Sequence, residues 1–255
     1  GTGVQFAFTL AAELAGGYES IAAADFNGDG KPDIVMTAGS NFMIYLNSST
    51  PGNISFQPVI TLSNSYSPGR LCVADVDGDG KTDLITNNSP SAGLAIRRNI
   101  SEPGTLAFRP AVIIPGGPCE RNITAADLNG DRLPELIVSG SGIFKNNCSP
   151  GVIAFGAPVA TLYYTHSYVT TGDMDGDGKT DVIAGDVYGS RVLVLRNTGT
   201  GSTLSFAEPV NFPAVSYPGS IGTGDFDGDG KLDLAVALQD KKICVFKNLS
   251  SPGSI

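Results

Sequence analysis

One nine-residue acidic segment occurs five times along the chain: DFNGDGKPD from Asp25, DVDGDGKTD from Asp75, DLNGDRLPE from Asp127, DMDGDGKTD from Asp173 and DFDGDGKLD from Asp225. The copies start 50, 52, 46 and 52 residues apart, so the unit around each is built five times and must stack on its own copies. Each segment follows a short run of small and apolar residues (SIAAA, LCVA, ITAA, VTTG, IGTG) and precedes a β-branched run (IVMT, LITN, LIVS, VIAG, LAVA). A second apolar run then ends at Asn47, Asn99, Asn146, Asn197 or Asn248. In the first four repeats a Ser/Thr/Pro/Gly turn leads on to a Phe-containing run with a nearby proline. That is four strands per repeat. No window shows the 3.6-residue periodicity of a helix of useful length.

A period near 50 with four strands per unit predicts an all-β fold, a five-bladed β-propeller in which residues 1–255 form a single domain. The first strand of each unit thins to Ala, Gly and Thr and is expected innermost. The fourth carries Pro58, Pro110, Pro158 or Pro209, and proline is tolerated mainly on an edge, so this strand is expected outermost. The opening VQFAFTL reads as a fourth strand with nothing before it, whereas the last repeat stops at FKNLSSPGSI. Residues 4–10 are therefore expected to complete the last blade beside the strand ending at Asn248, closing the ring within one molecule or between two.

Each acidic loop offers oxygen donors at positions 1, 3, 5 and 9, a main-chain carbonyl at 7 and usually Gly at 6, the arrangement a hard cation such as Ca²⁺ prefers. The expected ligands are Asp25, Asn27, Asp29, the Lys31 carbonyl and Asp33; Asp75, Asp77, Asp79, the Lys81 carbonyl and Asp83; Asp127, Asn129, Asp131, the Leu133 carbonyl and Glu135. Asp173, Asp175, Asp177, the Lys179 carbonyl and Asp181 follow in the fourth loop, and Asp225, Asp227, Asp229, the Lys231 carbonyl and Asp233 in the fifth. An EF-hand is excluded: position 12 holds Met36, Thr86, Val138, Ala184 or Val236 in place of a bidentate Glu, and the loops join strands. The loops hold 18 of the 25 acidic residues, a repulsion without purpose unless cations offset it. Up to five structural Ca²⁺ would carry the net charge from −9 to +1. Arg132 replaces the position-6 glycine and Glu135 the position-9 Asp, so the third site is expected to be the weakest.

The motif D-x-[DN]-G-D-G-x-x-D followed by an apolar strand, intact at Asp25, Asp75, Asp173 and Asp225, resembles the FG-GAP or VCBS repeats. These are similar to the integrin α-subunit propeller and to bacterial and fungal propeller lectins. The resemblance spans all five repeats and implies an extracellular or cell-surface binding module with structural calcium. Integrin-like propellers usually have seven blades, so ligand sites that depend on blade number do not carry over.

The net charge disfavours nucleic acid as a partner, and no apolar run approaches the roughly 20 residues of a membrane-spanning helix. The sequence opens at Gly1 without Met or an apolar leader, so a secretion signal is expected to have been removed or to lie outside it. Cys72, Cys119, Cys148 and Cys244 lack CxxC spacing, and neither a zinc site nor a structural disulfide is expected. Asn47, Asn53, Asn87, Asn99, Asn122, Asn147 and Asn248 head N-x-S/T triplets, acceptors only in a secreted eukaryotic protein. His166 is the one histidine and is read as a solvated loop residue. Loops on the face opposite the acidic ones contain Tyr66, Arg70, Arg121, His166, Tyr168, Tyr188, Arg191 and Tyr217. Rings that stack on sugars beside forked guanidinium donors suit a glycan or an extracellular glycoprotein. A binding module is the first expectation, a structural subunit of a self-assembling surface structure the second and a carbohydrate-active enzyme the third.

Overall fold

The computed structural model describes residues 8–16, 20–64, 67–89, 93–116, 122–160, 162, 168–214 and 216–255. Five antiparallel sheets follow one another along the chain. The first runs β1 (Ser20–Ala24), β2 (Asp33–Ala38), β3 (Asn41–Tyr45), β4 (Ile60–Ser63), hydrogen-bonded in that order. The second is β5 (Ser67–Ala74), β6 (Asp83–Ser89), β7 (Gly93–Arg97), β8 (Val112–Pro115). The third is β9 (Ile123–Ala126), β10 (Glu135–Val138), β11 (Gly142–Asn146), β12 (Phe155–Ala160), and the fourth β13 (Val169–Gly172), β14 (Asp181–Asp186), β15 (Arg191–Leu195), β16 (Val210–Pro213). The fifth has three strands among the described residues: β17 (Pro218–Gly224), β18 (Asp233–Leu238) and β19 (Ile243–Phe246).

The proline-bearing strand is the sheet edge, as its chemistry requires: Pro58, Pro110 and Pro209 stand just ahead of β4, β8 and β16, and Pro158 lies within β12 at a register slip against Phe144. The first strands β1, β5, β9, β13 and β17 lie against one another in succession, where small side chains allow close approach.

Second strands of the second, third and fourth sheets are apolar on both faces because those sheets are buried on both sides. Within β10, Leu136 and Val138 pack into the core shared with the second sheet, and Ile137 into that shared with the fourth. The same alternation in β14 sends Val182 and Ala184 one way and Ile183 the other. Four apolar cores result, one between each pair of consecutive sheets. Among the described residues none joins the fifth sheet to the first. The expected N-terminal strand lies partly outside the described residues. Its residues 8–10 form no strand, and Phe8 is 96% exposed. The next stretch lies instead on the first sheet, where the Tyr45 hydroxyl donates to the Ala15 carbonyl. Cys72, Cys148 and Cys244 carry free thiols, and Cys119 lies outside the described residues.

Candidate metal centres in the acidic loops

Every acidic loop joins the first and second strands of its sheet, so all five emerge at the same end of the strands. Positions 1 and 9 fold the loop before they meet any cation. The Asp25 carboxylate accepts the N–H groups of Gly28 (2.8 Å), Asp29 (3.2 Å) and Gly30 (2.7 Å), and Asp75, Asp173 and Asp225 repeat this pattern. Position 9 is a brace. One oxygen of Asp83 accepts the Val76 N–H (3.1 Å) and the other the Asn99 N–H (2.7 Å), tying the start of the loop to the end of the third strand. Asp33, Asp181 and Asp233 do the same, and Glu135 reaches Leu128 (2.9 Å) and, at 3.4 Å, Asn146. Position 5 accepts the N–H of position 7, in the first loop Lys31 to Asp29.

Carboxylates then converge. Among the described residues, one oxygen from each of Asp75, Asp77 and Asp83 lies within 4.8 Å of the others, as do those of Asp173, Asp175 and Asp181 and of Asp225, Asp227 and Asp229. The first and third loops carry Asn27 and Asn129 at position 3 and so hold one carboxylate fewer. Burial, reinforced by neighbouring carboxylates against the opposing backbone N–H bonds, pushes the Asp83 carboxyl up to about 7 and Asp181 to about 6. Desolvation also raises Asp33 and Glu135. A set of crowded oxygen donors, without nitrogen or sulfur, fits a hard divalent cation and would hold its carboxylates ionised when one binds.

The sequence reading missed a basic residue directly before the recurring Asn of four repeats: Arg98, Lys145, Arg196 and Lys247. Arg98 reaches Asp77 and, at 2.7 Å, Asp79; Arg196 lies 3.7 Å from Asp175; Lys247 bonds Asp227 and lies 3.3 Å from Asp229. The Lys247 ammonium holds Asp227 below the usual carboxylate range. The [KR]-N pair was the available signal. Arg98, Arg196 and Lys247 thus supply part of the positive charge that the loops need, whereas Lys145 donates to the Ser202 carbonyl (3.1 Å).

The third loop departs where the sequence says it should. Arg132 adopts φ 73° in the place of Gly30 (82°), Gly80 (84°), Gly178 (86°) and Gly230 (87°). A left-handed conformation costs a side-chain-bearing residue about 1–2 kcal/mol, and glycine returns about 0.4–1 kcal/mol of that through its freer unfolded chain. Arg132→Gly is therefore expected to leave metal-free stability unchanged or to raise it by up to about 1.6 kcal/mol. Removing the charge should raise calcium affinity at this loop several-fold, and calorimetric titration showing no tighter site would refute the ranking.

On the opposite face, Tyr66, Arg121 and His166 lie outside the described residues. Arg70 is half-buried within β5, Tyr168 stands at the start of β13 with its carbonyl accepting from Gly185, and Tyr217 is exposed ahead of β17. The turn between β14 and β15 is the best defined. Buried Asp186 accepts the Gly189 N–H (2.9 Å) with one oxygen and Arg191 Nε (2.8 Å) with the other, and Tyr188 at its tip is 75% exposed. A Cβ on Gly189 would lie 2.3 Å from Asp186 Oδ2 and 2.7 Å from Arg191 Nε, so a larger residue would have to displace the ion pair. Arg191 thus pairs with Asp186 across the turn, a partner that the sequence reading did not assign to it.

A cavity of about 470 Å³ lies beside β19, lined by Met174, Val194, Leu234, Phe246 and Ile255 among others. In the first four sheets a Phe nine residues after the Asn (Phe56, Phe108, Phe155, Phe206) pairs back with it.

Stacked antiparallel sheets, each with an oxygen-rich loop at the same strand ends, define a propeller-like repeat protein. The FG-GAP-like repeat profile matches residues 25–86, 78–138 and 164–236, well over half of the chain, which therefore belongs to that family. Comparison with curated protein sequences finds no match. Among solved structures the chain is similar to an Agrocybe aegerita lectin that recognises non-reducing terminal N-acetylglucosamine (21% identity, TM-score 0.56, covering 91% of this chain and 67% of the lectin). It is also similar to the V. cholerae biofilm matrix protein Bap1 (18%, TM-score 0.49, 91% and 37%) and to the rhamnogalacturonan lyase YesW (14%, TM-score 0.49, 89% and 46%). The chain thus spans just over a third of Bap1 and two thirds of the lectin.

Proposed function

We propose that this chain is a calcium-stabilised binding module that recognises a glycan or an extracellular glycoprotein through the face opposite its acidic loops, without turning it over. Calcium is structural in this reading, because its donors sit in tight loops between strands of one sheet and are braced by main-chain bonds. The carrying observation is the 186–191 turn, in which an Asp186–Arg191 ion pair with Gly189 packed against it supports the exposed Tyr188 ring. A preorganised aromatic plate suits the apolar face of a sugar. The shared fold of the fungal lectin supports the choice of ligand class.

A glycan and glycoprotein array probed with the calcium-loaded protein tests the reading. Tyr188→Ala is expected to weaken binding about tenfold, the worth of one stacked ring, with melting nearly unchanged. An array with no bound ligand would reject it, and degradation of a polysaccharide by the pure protein would replace it with the enzyme reading.

A further inference from the structure

The two ends of the stack carry the two halves of one contact. Each internal junction is made the same way: an apolar residue at loop position 2 (Phe26, Val76, Leu128, Met174) is buried against the next sheet. The next sheet's Asn donates its Nδ2 to the carbonyl of that residue, Asn99 to Phe26 (2.9 Å), Asn146 to Val76 (2.9 Å), Asn197 to Leu128 (2.7 Å) and Asn248 to Met174 (2.7 Å). At two junctions a turn glycine adds a bond to the position-3 carboxylate, Gly151 to Asp77 (2.8 Å) and Gly253 to Asp175 (2.9 Å).

At the fifth sheet the same positions face outward. Phe226 is 56% exposed, and Ile243 and Val245, which correspond to the buried pairs Phe42/Ile44, Leu94/Ile96 and Val192/Val194, are 70% and 62% exposed. The first sheet shows the complementary half. Ile21, the counterpart of buried Ile123 and Val169, is 64% exposed, and Ile54 is exposed beside it in the repeat. Among the described residues the Asn47 Nδ2 has the Pro32 carbonyl of its own sheet as its partner and no partner across a junction. Residues 15–16 lie over Tyr45 and Met36 and leave Ile21 and Ile54 exposed.

We propose that the chain joins a second copy of itself head to tail, the fifth sheet of one copy stacking on the first sheet of the next. The contact continues one built four times within each chain: Asn47 of the incoming copy donates to the Phe226 carbonyl, Gly52 to Asp227, and Ile21 and Ile54 cover Phe226, Ile243 and Val245. A second copy is the occupant because this chain carries both halves, one at each end, and exposed apolar faces of this kind mark interaction surfaces. The contact is heterologous, so it leads to open polymers or to rings of several copies.

Sedimentation velocity of the full chain in calcium is expected to show mass rising with concentration through multiples of 26.2 kDa. Ile243→Asp blocks one end and Ile21→Asp the other; both positions are exposed, and unchanged melting confirms the fold. Each variant alone should remain monomeric, with association reduced at least tenfold, and a mixture of the two should give a 1:1 dimer through the ends left intact. A wild-type chain monomeric at every concentration overturns the proposal, whether its own ring closes or another chain covers the ends. Association that survives both variants, or that only one of them removes, overturns it as well.

Discussion

Stripping divalent ions from the protein lowers its melting temperature by about ten degrees or more. Free calcium at a thousand times the dissociation constant of one site contributes about 4 kcal/mol, and each kcal/mol shifts melting by roughly 2–4 °C in a domain of this size. Several sites multiply the effect. Its pH dependence follows from the buried carboxyls. Asp83 and Asp181 are raised by desolvation to about 7 and about 6 in the metal-free fold, well above their values in an unfolded chain. The folded state therefore holds more protons between about pH 4 and 7, and metal-free stability falls as pH rises through that window. Calcium replaces those protons with a cation that needs the carboxylates ionised. The melting difference between calcium and chelator should accordingly be small at pH 5 and large at pH 8. Scanning calorimetry in both conditions measures it, and an equal difference at the two pH values would separate metal binding from these carboxyls.

The repeat made most of the fold legible, since five copies of one pattern report the same strand boundaries independently. Proline on a fourth run fixed the sheet edge, and continuous β-branched second runs announced strands buried on both faces. The closure of the stack was not legible, because VQFAFTL has a strand's composition wherever it pairs, and its described part lies away from β19. In the loops, position and donor type located the carboxylates but not their division of labour. Whether an Asp oxygen meets a cation or a main-chain N–H depends on how the loop wraps, and positions 1 and 9 do the wrapping. The Asn recurs in all five repeats, yet the four that clasp a neighbouring sheet read as strand ends because their acceptors lie about 70 residues away. The Asp186–Arg191 pair was not legible for a similar reason: the two residues face each other across a hairpin whose geometry only the turn glycine hints at.

Replacing the position-9 brace should have the largest effect of any single loop substitution. Asp181 is fully buried, and its two oxygens accept the N–H groups of Met174 (2.9 Å) and Asn197 (2.8 Å). Asn197 in turn clasps the third sheet through the Leu128 carbonyl. Asp181→Ala leaves two buried donors unsatisfied at about 1–3 kcal/mol each, a loss of about 2–6 kcal/mol by denaturant unfolding that persists in excess chelator. Asp177→Ala removes a carboxylate that accepts the partly buried Lys179 N–H and pairs with the same residue's ammonium at 3.6 Å, so its effect should fall mainly on calcium-loaded protein. The third loop supplies the control, for Glu135 already spans both N–H groups from position 9, at 2.9 and 3.4 Å. Asp181→Glu should thus recover most of the metal-free stability that Asp181→Ala loses. If Asp181→Ala and Asp177→Ala were equally stable in chelator, position 9 would be a ligand alone, and the loop would owe its shape to the metal rather than to its own bonds.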